Sequence, residues 1–347
     1  MSLFLNPSER AHLLSLPTAS PSAALLAAMQ ARVLRRAASP GFTDREATTD
    51  WWHHAAEYLT DAALIHAVRP SPRASAWLHS AVLGIIRRPL ADWAGPPFRG
   101  FGGGSLFGSL ETAHLAWGIA VSFDLAADLF TPDEHAEIVA VLRERGIAAC
   151  RRFLDCSGFC HNWNCVLLAG FTVCAAVLDD ADSLAAARAW FPLAADHFQP
   201  DGSYGESLQY ANYAAYSLIL AREALVRRAP DSPRPTLEPC VRLVDWAAQS
   251  FFYLKPLSGW GPSPRPRSAN FGDSAALFRP SGDLLIHLAT HARDSHPREA
   301  ALARWLFDTL YLPANDPGPH DLASFGFVCG FGFLSIILLP DAATPLS

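Results

Sequence analysis

The chain has 347 residues, 50% of them hydrophobic and 17% charged, which suits a protein with a sizeable buried core and not a disordered segment. Its formal charge of -6 offers no basic stripe, which argues against nucleic acid as a partner. No apolar run reaches the roughly 18 residues of a membrane span, and the opening residues do not read as a signal peptide. Seven cysteines without an export signal then point to reduced thiols and a cytoplasmic location.

The chain reads as a single domain over 1–347, with N-terminal helices in 1–45, a core in 46–312 and an apolar tail in 313–347. The run "WWHHAAEYLTDAALIHAV" (51–68) places Ala55, Leu59, Ala62, Ala63 and His66 three and four residues apart, the spacing of one helix face. A second helical pattern covers 109–130. A third opens with Thr131 as N-cap, Pro132 at the first helical position and Glu134 completing a capping box. Further helices are predicted near 161–179, 181–198, 207–228, 236–254, 282–294 and 297–311, and the tail from 325 is ambiguous. Short turns rich in Pro, Gly and Asp join them, so helix, turn and helix recur with a period of roughly 40 to 50 residues. The predicted fold is all-α: antiparallel helical hairpins in a curved or closed array. Three longer glycine-bearing loops, 93–108, 199–206 and 256–274, are where a site is expected.

Four stretches carry chemistry. The glycine-rich loop 93–108 leads into Glu111 and His114, one helical turn apart. It lacks the Lys-Ser/Thr ending of a phosphate loop, and a plain surface loop entering a helix is its simplest reading. In "GFCHNWNCVLLAG" (158–170) two amides, an imidazole and an indole stand directly before an apolar helix. Such groups are costly to bury unless each finds a hydrogen-bond partner. Cys156, Cys160, His161 and Cys165 match no common zinc spacing, and cysteine is an ordinary small core residue in a reduced protein.

The third stretch, "PDGSYGESLQYANYAAYSLIL" (200–220), spaces Glu206, Tyr210, Tyr213 and Ser217 as one helical stripe behind a Pro-Asp-Gly turn. Tyrosine stripes are more often packing than catalysis, but a carboxylate heads this one. The fourth, "RPRSANFGDSAALF" (265–278), gathers Arg265, Arg267, Asn270 and Asp273. It reads equally as a polar loop capping the next helix or as an anion-binding loop, since arginine grips carboxylates in a bidentate fork. Nucleophile elbows, H-E-x-x-H and aspartate-rich metal motifs are missing from the sequence, and no metal or cofactor is predicted.

Taken in order, W-W-H-H-A-A-E-Y-L-T-D-A-A-L-I-H, L-E-T-A, N-W-N, P-D-G-S-Y-x-E-x-x-x-Y-x-x-Y and N-F-G-D-S resemble the heparinase II/III-like polysaccharide lyases, whose relatives include oligoalginate lyases. The resemblance covers residues 50–280, the part that forms an α/α toroid in that family. It implies β-elimination on a uronic-acid-containing saccharide. The carboxylate of the uronate must be neutralised to stabilise an enolate-like intermediate, and a tyrosine or histidine must take the C5 proton. By resemblance, Asn162 neutralises the carboxylate with His161 beside it. Tyr210 is the acid/base and Tyr213 its second. The residues expected to bind or orient the substrate are Trp163, Asn164, Glu206, Arg265, Arg267, Asn270, Asp273, Glu111 and His114.

Trp163 stands where histidine-bearing members carry His, and no segment after 280 matches the family's C-terminal β-sandwich. The expectation is therefore a toroid without that sandwich, whose cleft a second copy or a partner chain would cover. Three other readings remain open at this stage. One is a toroid reused as a cyclase or tailoring enzyme of small-molecule metabolism, and another is a non-catalytic saccharide-binding relative. The last is a glycoside hydrolase using two carboxylates from Glu111, Asp124, Asp201, Glu206 and Asp273.

Overall fold

A computed structural model describes residues 2–38, 51–94, 107–255, 265–268, 280–312 and 330–339. The fold is all-α, with one short antiparallel strand pair among the described residues. The chain divides into two units: Met1–Ala194 with Ser217–Pro235, and Ala195–Tyr216 with Thr236–Ser347.

The first unit begins with α1 (Pro7–Leu14) and α2 (Pro21–Ala38). Asp124 ties down the segment before α1, accepting hydrogen bonds from the Ser2 hydroxyl at 2.6 Å, Leu3 N–H at 2.7 Å and Phe4 N–H at 2.9 Å. Arg227 holds α1 from the other side, with Glu9 and Glu223 each 2.6 Å away. Burial opposes the charge on Arg227, but its bonds to Glu9 and the charge of Glu223 outweigh that and raise its pKa.

Then come α3 (Trp51–Val68), α4 (Pro72–Ile86), α5 (Leu110–Leu125) and α6 (Pro132–Val141). The Thr131 capping box is present as predicted: its hydroxyl accepts from Glu134 N–H, and Glu134 accepts from Thr131 N–H. Leu142–Ala148 continues as a π-helical stretch into α7 (Ala149–Cys156). After α8 (Asn162–Val177) and α9 (Ala181–Ala195), α10 (Leu208–Arg228) gives its first residues to the second unit and its last turns to the first.

Alternate helices of the first unit pack on one another. Fourteen of the 16 residues of α5 and 14 of the 16 of α8 are buried, so these helices lie inside, covered on every side. Trp52 meets His114 edge-on with ring centroids 4.8 Å apart, and Ala56 lies against Gly118. Both contacts join residues equally far apart in sequence, which only a parallel pair of helices allows. Ala113 lies against Gly170, and Ala116 and Cys174 both lie against Gly146, so α5 and α8 run parallel too. The first turns of α3, α5 and α8 therefore face one end.

Glycine sets the spacing of this row. A Cβ on Gly170 would stand 2.7 Å from the Cα of Ala113, and one on Gly118 would stand 2.9 Å from the Cα of Ala56. Gly170→Ala is expected to lower the urea midpoint, at a cost of about 1–3 kcal/mol for overpacking. Gly84→Ala in α4, where no atom lies within 4 Å, is expected to gain about 0.5–1 kcal/mol from helix propensity.

The second unit carries the 199–207 turn and the start of α10. It continues with α11 (Glu238–Val241), α12 (Leu243–Ser250), β1 (Phe251–Lys255) and β2 (Arg265–Ser268). The single helix predicted over 236–254 is thus corrected. The helix ends at Ser250, and the aromatic run Phe251–Lys255, a strand-favouring composition, pairs antiparallel with Arg265–Ser268. The helices α13 (Gly282–His291), α14 (Pro297–Tyr311) and α15 (Phe333–Leu338) complete the unit. α14 spans the predicted 297–311. Asp283, 1% exposed, caps α15: its Oδ1 accepts from Gly332 N–H and Ser335 N–H at 2.8 Å each, and from the Ser335 hydroxyl. Tyr311 donates its hydroxyl to the Pro280 carbonyl at 2.7 Å. No helix among the described residues is long and apolar enough to cross a membrane.

Candidate functional site

In the first unit the polar residues picked out by the sequence lie at the opening turns of α5 and α8. Trp93 positions the start of α5. Its carbonyl accepts from the Thr112 hydroxyl at 2.6 Å and the Ser109 hydroxyl at 3.3 Å, while Ser109 and Thr112 close a capping box on the helix. Glu111 then lies in the first turn, 1% exposed. His114, fully buried, donates Nδ1–H to the Leu110 carbonyl at 2.8 Å. A carbonyl can only accept, so in the neutral ring Nε2 carries the lone pair. The ring sits between Trp117, centroid 4.0 Å away, and Trp52.

At α8 the Ser157 hydroxyl organises the loop. It accepts from Phe159 N–H at 3.2 Å and from the Asn164 side-chain amide. Phe159 has φ +49°, a left-handed conformation unusual for a bulky residue, and these bonds help to hold it. Asn164 also accepts from His161 N–H at 3.4 Å, so this amide, fully buried, staples the turn that starts the helix. Trp163 stacks on Phe153 at 6.1 Å and meets the His161 ring edge-on at 5.9 Å. His161 is the N-cap and half-buried; Asn162, 2% exposed, is the first residue of the helix. The parallel register places Asn164 about 6 Å beyond Glu111 along the axis, at 1.5 Å per residue. The cysteines nearby form no cluster with His161: Cys165 is buried and donates to the Ala194 carbonyl, while Cys156 and Cys160 are exposed.

The second unit holds the tyrosines. Asp201 Oδ1 accepts from Ser203 N–H at 2.9 Å, and the Ser203 hydroxyl and N–H hold the Asp201 carboxyl below the usual carboxylate range. That contribution to the turn is present above the ordinary aspartate pKa and fades as pH falls through the lowered one. Ser207 caps α10 by accepting from Tyr210 N–H at 3.2 Å. Glu206 therefore precedes the helix and is exposed, which corrects the predicted stripe: it does not head it. Tyr210 is half-buried and Tyr213 is 1% exposed. Arg265 and Arg267 lie on β2, paired with Lys255 and Tyr253 through the backbone. Asn270 and Asp273, like the loops 95–106 and 256–264, lie outside the described residues.

A cleft of about 720 Å³ opens elsewhere on the first unit, lined by Leu5, Arg10, Leu14, His66, Leu125 and Asp128 among others. None of the site residues predicted from sequence lines it. His66 links the Ser75 hydroxyl at 2.8 Å to Asp128 at 3.1 Å, an arrangement of the nucleophile–base–acid type. Asp128 is 76% exposed, so water screens its carboxylate and little field is left to activate the hydroxyl.

Each unit thus carries part of the chemistry that sequence reasoning selected. The first carries His161, Asn162, Trp163 and Asn164 at the start of α8, with Glu111 and His114 in the opening turns of α5 and, by the register, deeper along the shared axis; the second carries Tyr210 and Tyr213. Sequence reasoning missed Ser157, whose hydroxyl fixes the loop, although a serine before a Gly-Phe pair is a modest turn signal. Compared with known proteins, the chain matches no protein-family model, and no curated protein matches it.

Proposed function

We propose that the chain is a carbon–oxygen lyase that cleaves a uronic-acid-containing saccharide by β-elimination on an α/α toroid. The observation that carries this reading is the parallel inner row α3, α5 and α8, with His161, Asn162 and Trp163 at the N-terminus of a buried 16-residue helix. A helix N-terminus favours negative charge, and amide and imidazole are neutral or weakly charged donors suited to a carboxylate. In this assignment Asn162 and His161 neutralise the uronate carboxylate, and Trp163 offers a flat face to the sugar. The resemblance, not a geometry between the units, assigns the C5 proton to Tyr210, the half-buried member of its stripe. The C4–O bond breaks as the C4=C5 double bond forms, and a proton passes to the departing oxygen. Tyr213, at 1% exposure, stands second on the stripe.

Two of the five carboxylates that a hydrolase could use are engaged elsewhere, which supports elimination. Asp124 is committed to the N-terminal segment through three hydrogen bonds, Asp201 to its own turn, and Glu206 is exposed ahead of the helix. A hydrolase needs two carboxylates about 5 to 10 Å apart across its substrate. The six cysteines described are all free thiols.

Mass spectrometry of products from uronate oligomers tests the reading. Elimination leaves the new non-reducing end lighter by one water than hydrolysis does. Asn162→Ala is expected to lower kcat by about 100-fold, the loss typical of one donor to a developing oxyanion. Products carrying the added water would overturn the assignment in favour of hydrolysis.

A further inference from the structure

The helix α13 carries a feature that the lyase reading does not use. His287 and His291 lie one turn apart on it, His287 fully buried and His291 half-buried. Their ring centroids are 4.5 Å apart, and a ring nitrogen of each lies within 4.8 Å of the other's. The scaffold beneath them is firm. Ser281 caps the helix at its start, Asp283 one turn earlier anchors α15, and Thr290 donates its hydroxyl to the Leu338 carbonyl at 3.0 Å.

We propose that His287 and His291 together bind one divalent transition-metal cation of the zinc class in the second unit. Two imidazoles spaced i, i+4 on a rigid helix present their nitrogens to the same side. A zinc-class ion needs each nitrogen about 2.0–2.1 Å away, so the two nitrogens, now within 4.8 Å of one another, must close to about 4 Å or less by rotation of the rings. Imidazole without thiolate selects borderline ions such as Zn²⁺, Co²⁺, Ni²⁺ and Cu²⁺ over Mg²⁺ and Ca²⁺, which prefer oxygen. Placing the pair on a buried helix face fixes both rotamers in advance, which lowers the cost of ordering them around the ion.

Full-length protein without an affinity tag, stripped with chelator, is titrated with Co²⁺ and followed by its visible bands, then with Zn²⁺ in competition. The wild type is expected to take up Co²⁺ with nitrogen-type bands that Zn²⁺ abolishes. His291→Gln, at the half-buried last position of α13, is expected to keep the helical circular dichroism and weaken binding by at least about ten-fold. His287→Gln is the second variant and should act in the same direction. No bands with the wild type, or bands of equal strength in a folded His291→Gln, would overturn the proposal.

Discussion

Asp61→Ala is expected to destabilise the protein by about 3–5 kcal/mol, the range for breaking one side of a buried ion pair. Asp61 on α3 is fully buried and Arg32 on α2 is 5% exposed, with Arg32 Nε and Nη2 at 2.7 and 2.6 Å from the same carboxylate oxygen. Removing the carboxylate takes the Asp61 charge from a buried guanidinium that cannot shed its proton, because arginine stays charged under any ordinary condition. Replacing both partners with apolar residues of similar size, Arg32→Met with Asp61→Leu, is expected to be near neutral, since both desolvation penalties then vanish. Urea unfolding followed by circular dichroism measures this. A single variant that loses less than about 1 kcal/mol would show that the pair behaves as a surface bridge.

Gly202→Ala is expected to cost about 2–5 kcal/mol, from two separate sources. The residue sits at φ +85°, where a side chain costs roughly 1–2 kcal/mol. A Cβ there would also stand 2.2 Å from the carbonyl carbon and oxygen of Arg242, which are backbone and cannot swing aside, adding about 1–3 kcal/mol. The turn bond from Gly202 N–H to the Gln199 carbonyl, 2.9 Å long, would be strained with it. Gly205, three residues on, has no atom within 4 Å of its would-be Cβ, so Gly205→Ala is the matched control and should change stability little. Equal unfolding midpoints for the two variants would contradict the packing of this turn against Arg242.

Elements specified by local chemistry were legible in the sequence. Thr131-Pro132 with Glu134 forms the box its pattern announces, and α14 occupies the span its periodicity marks. The Pro-Asp-Gly turn also forms, because only glycine accommodates that φ easily. What depends on distant partners was not legible. Nothing around Leu142–Ala148 announces a π-helical stretch; there Gly146 lies against Cys174 of α8, a contact set by how the helices meet. Arg32 and Asp61 look like ordinary surface charges until α2 lies on α3. The strand at Phe251–Lys255 was hidden by the apolar helical run before it, although its aromatic content favours a strand.

The site shows the same division. Residue types and their order were readable, and so was the placing of Asn162 at a helix start. The local roles were not. Asn164 serves the Ser157 loop, and Ser207, not Glu206, starts α10, because short hydroxyl side chains cap helices better than glutamate does. The buried thiols follow from packing alone: burial pushes Cys150 up to about 12, so it stays a thiol and contributes only to the core.

Ultraviolet absorbance follows elimination as it happens, because the C4=C5 double bond next to the carboxylate absorbs where intact uronates do not. Purified protein is mixed with a panel of uronate polymers and oligomers, beside Tyr210→Phe. A rising trace is expected with at least one of them, slowed by about 10²–10⁴-fold in the variant, the usual worth of a positioned acid/base. A flat trace across the panel from folded protein would contradict this expectation, as would an equal rise in Tyr210→Phe.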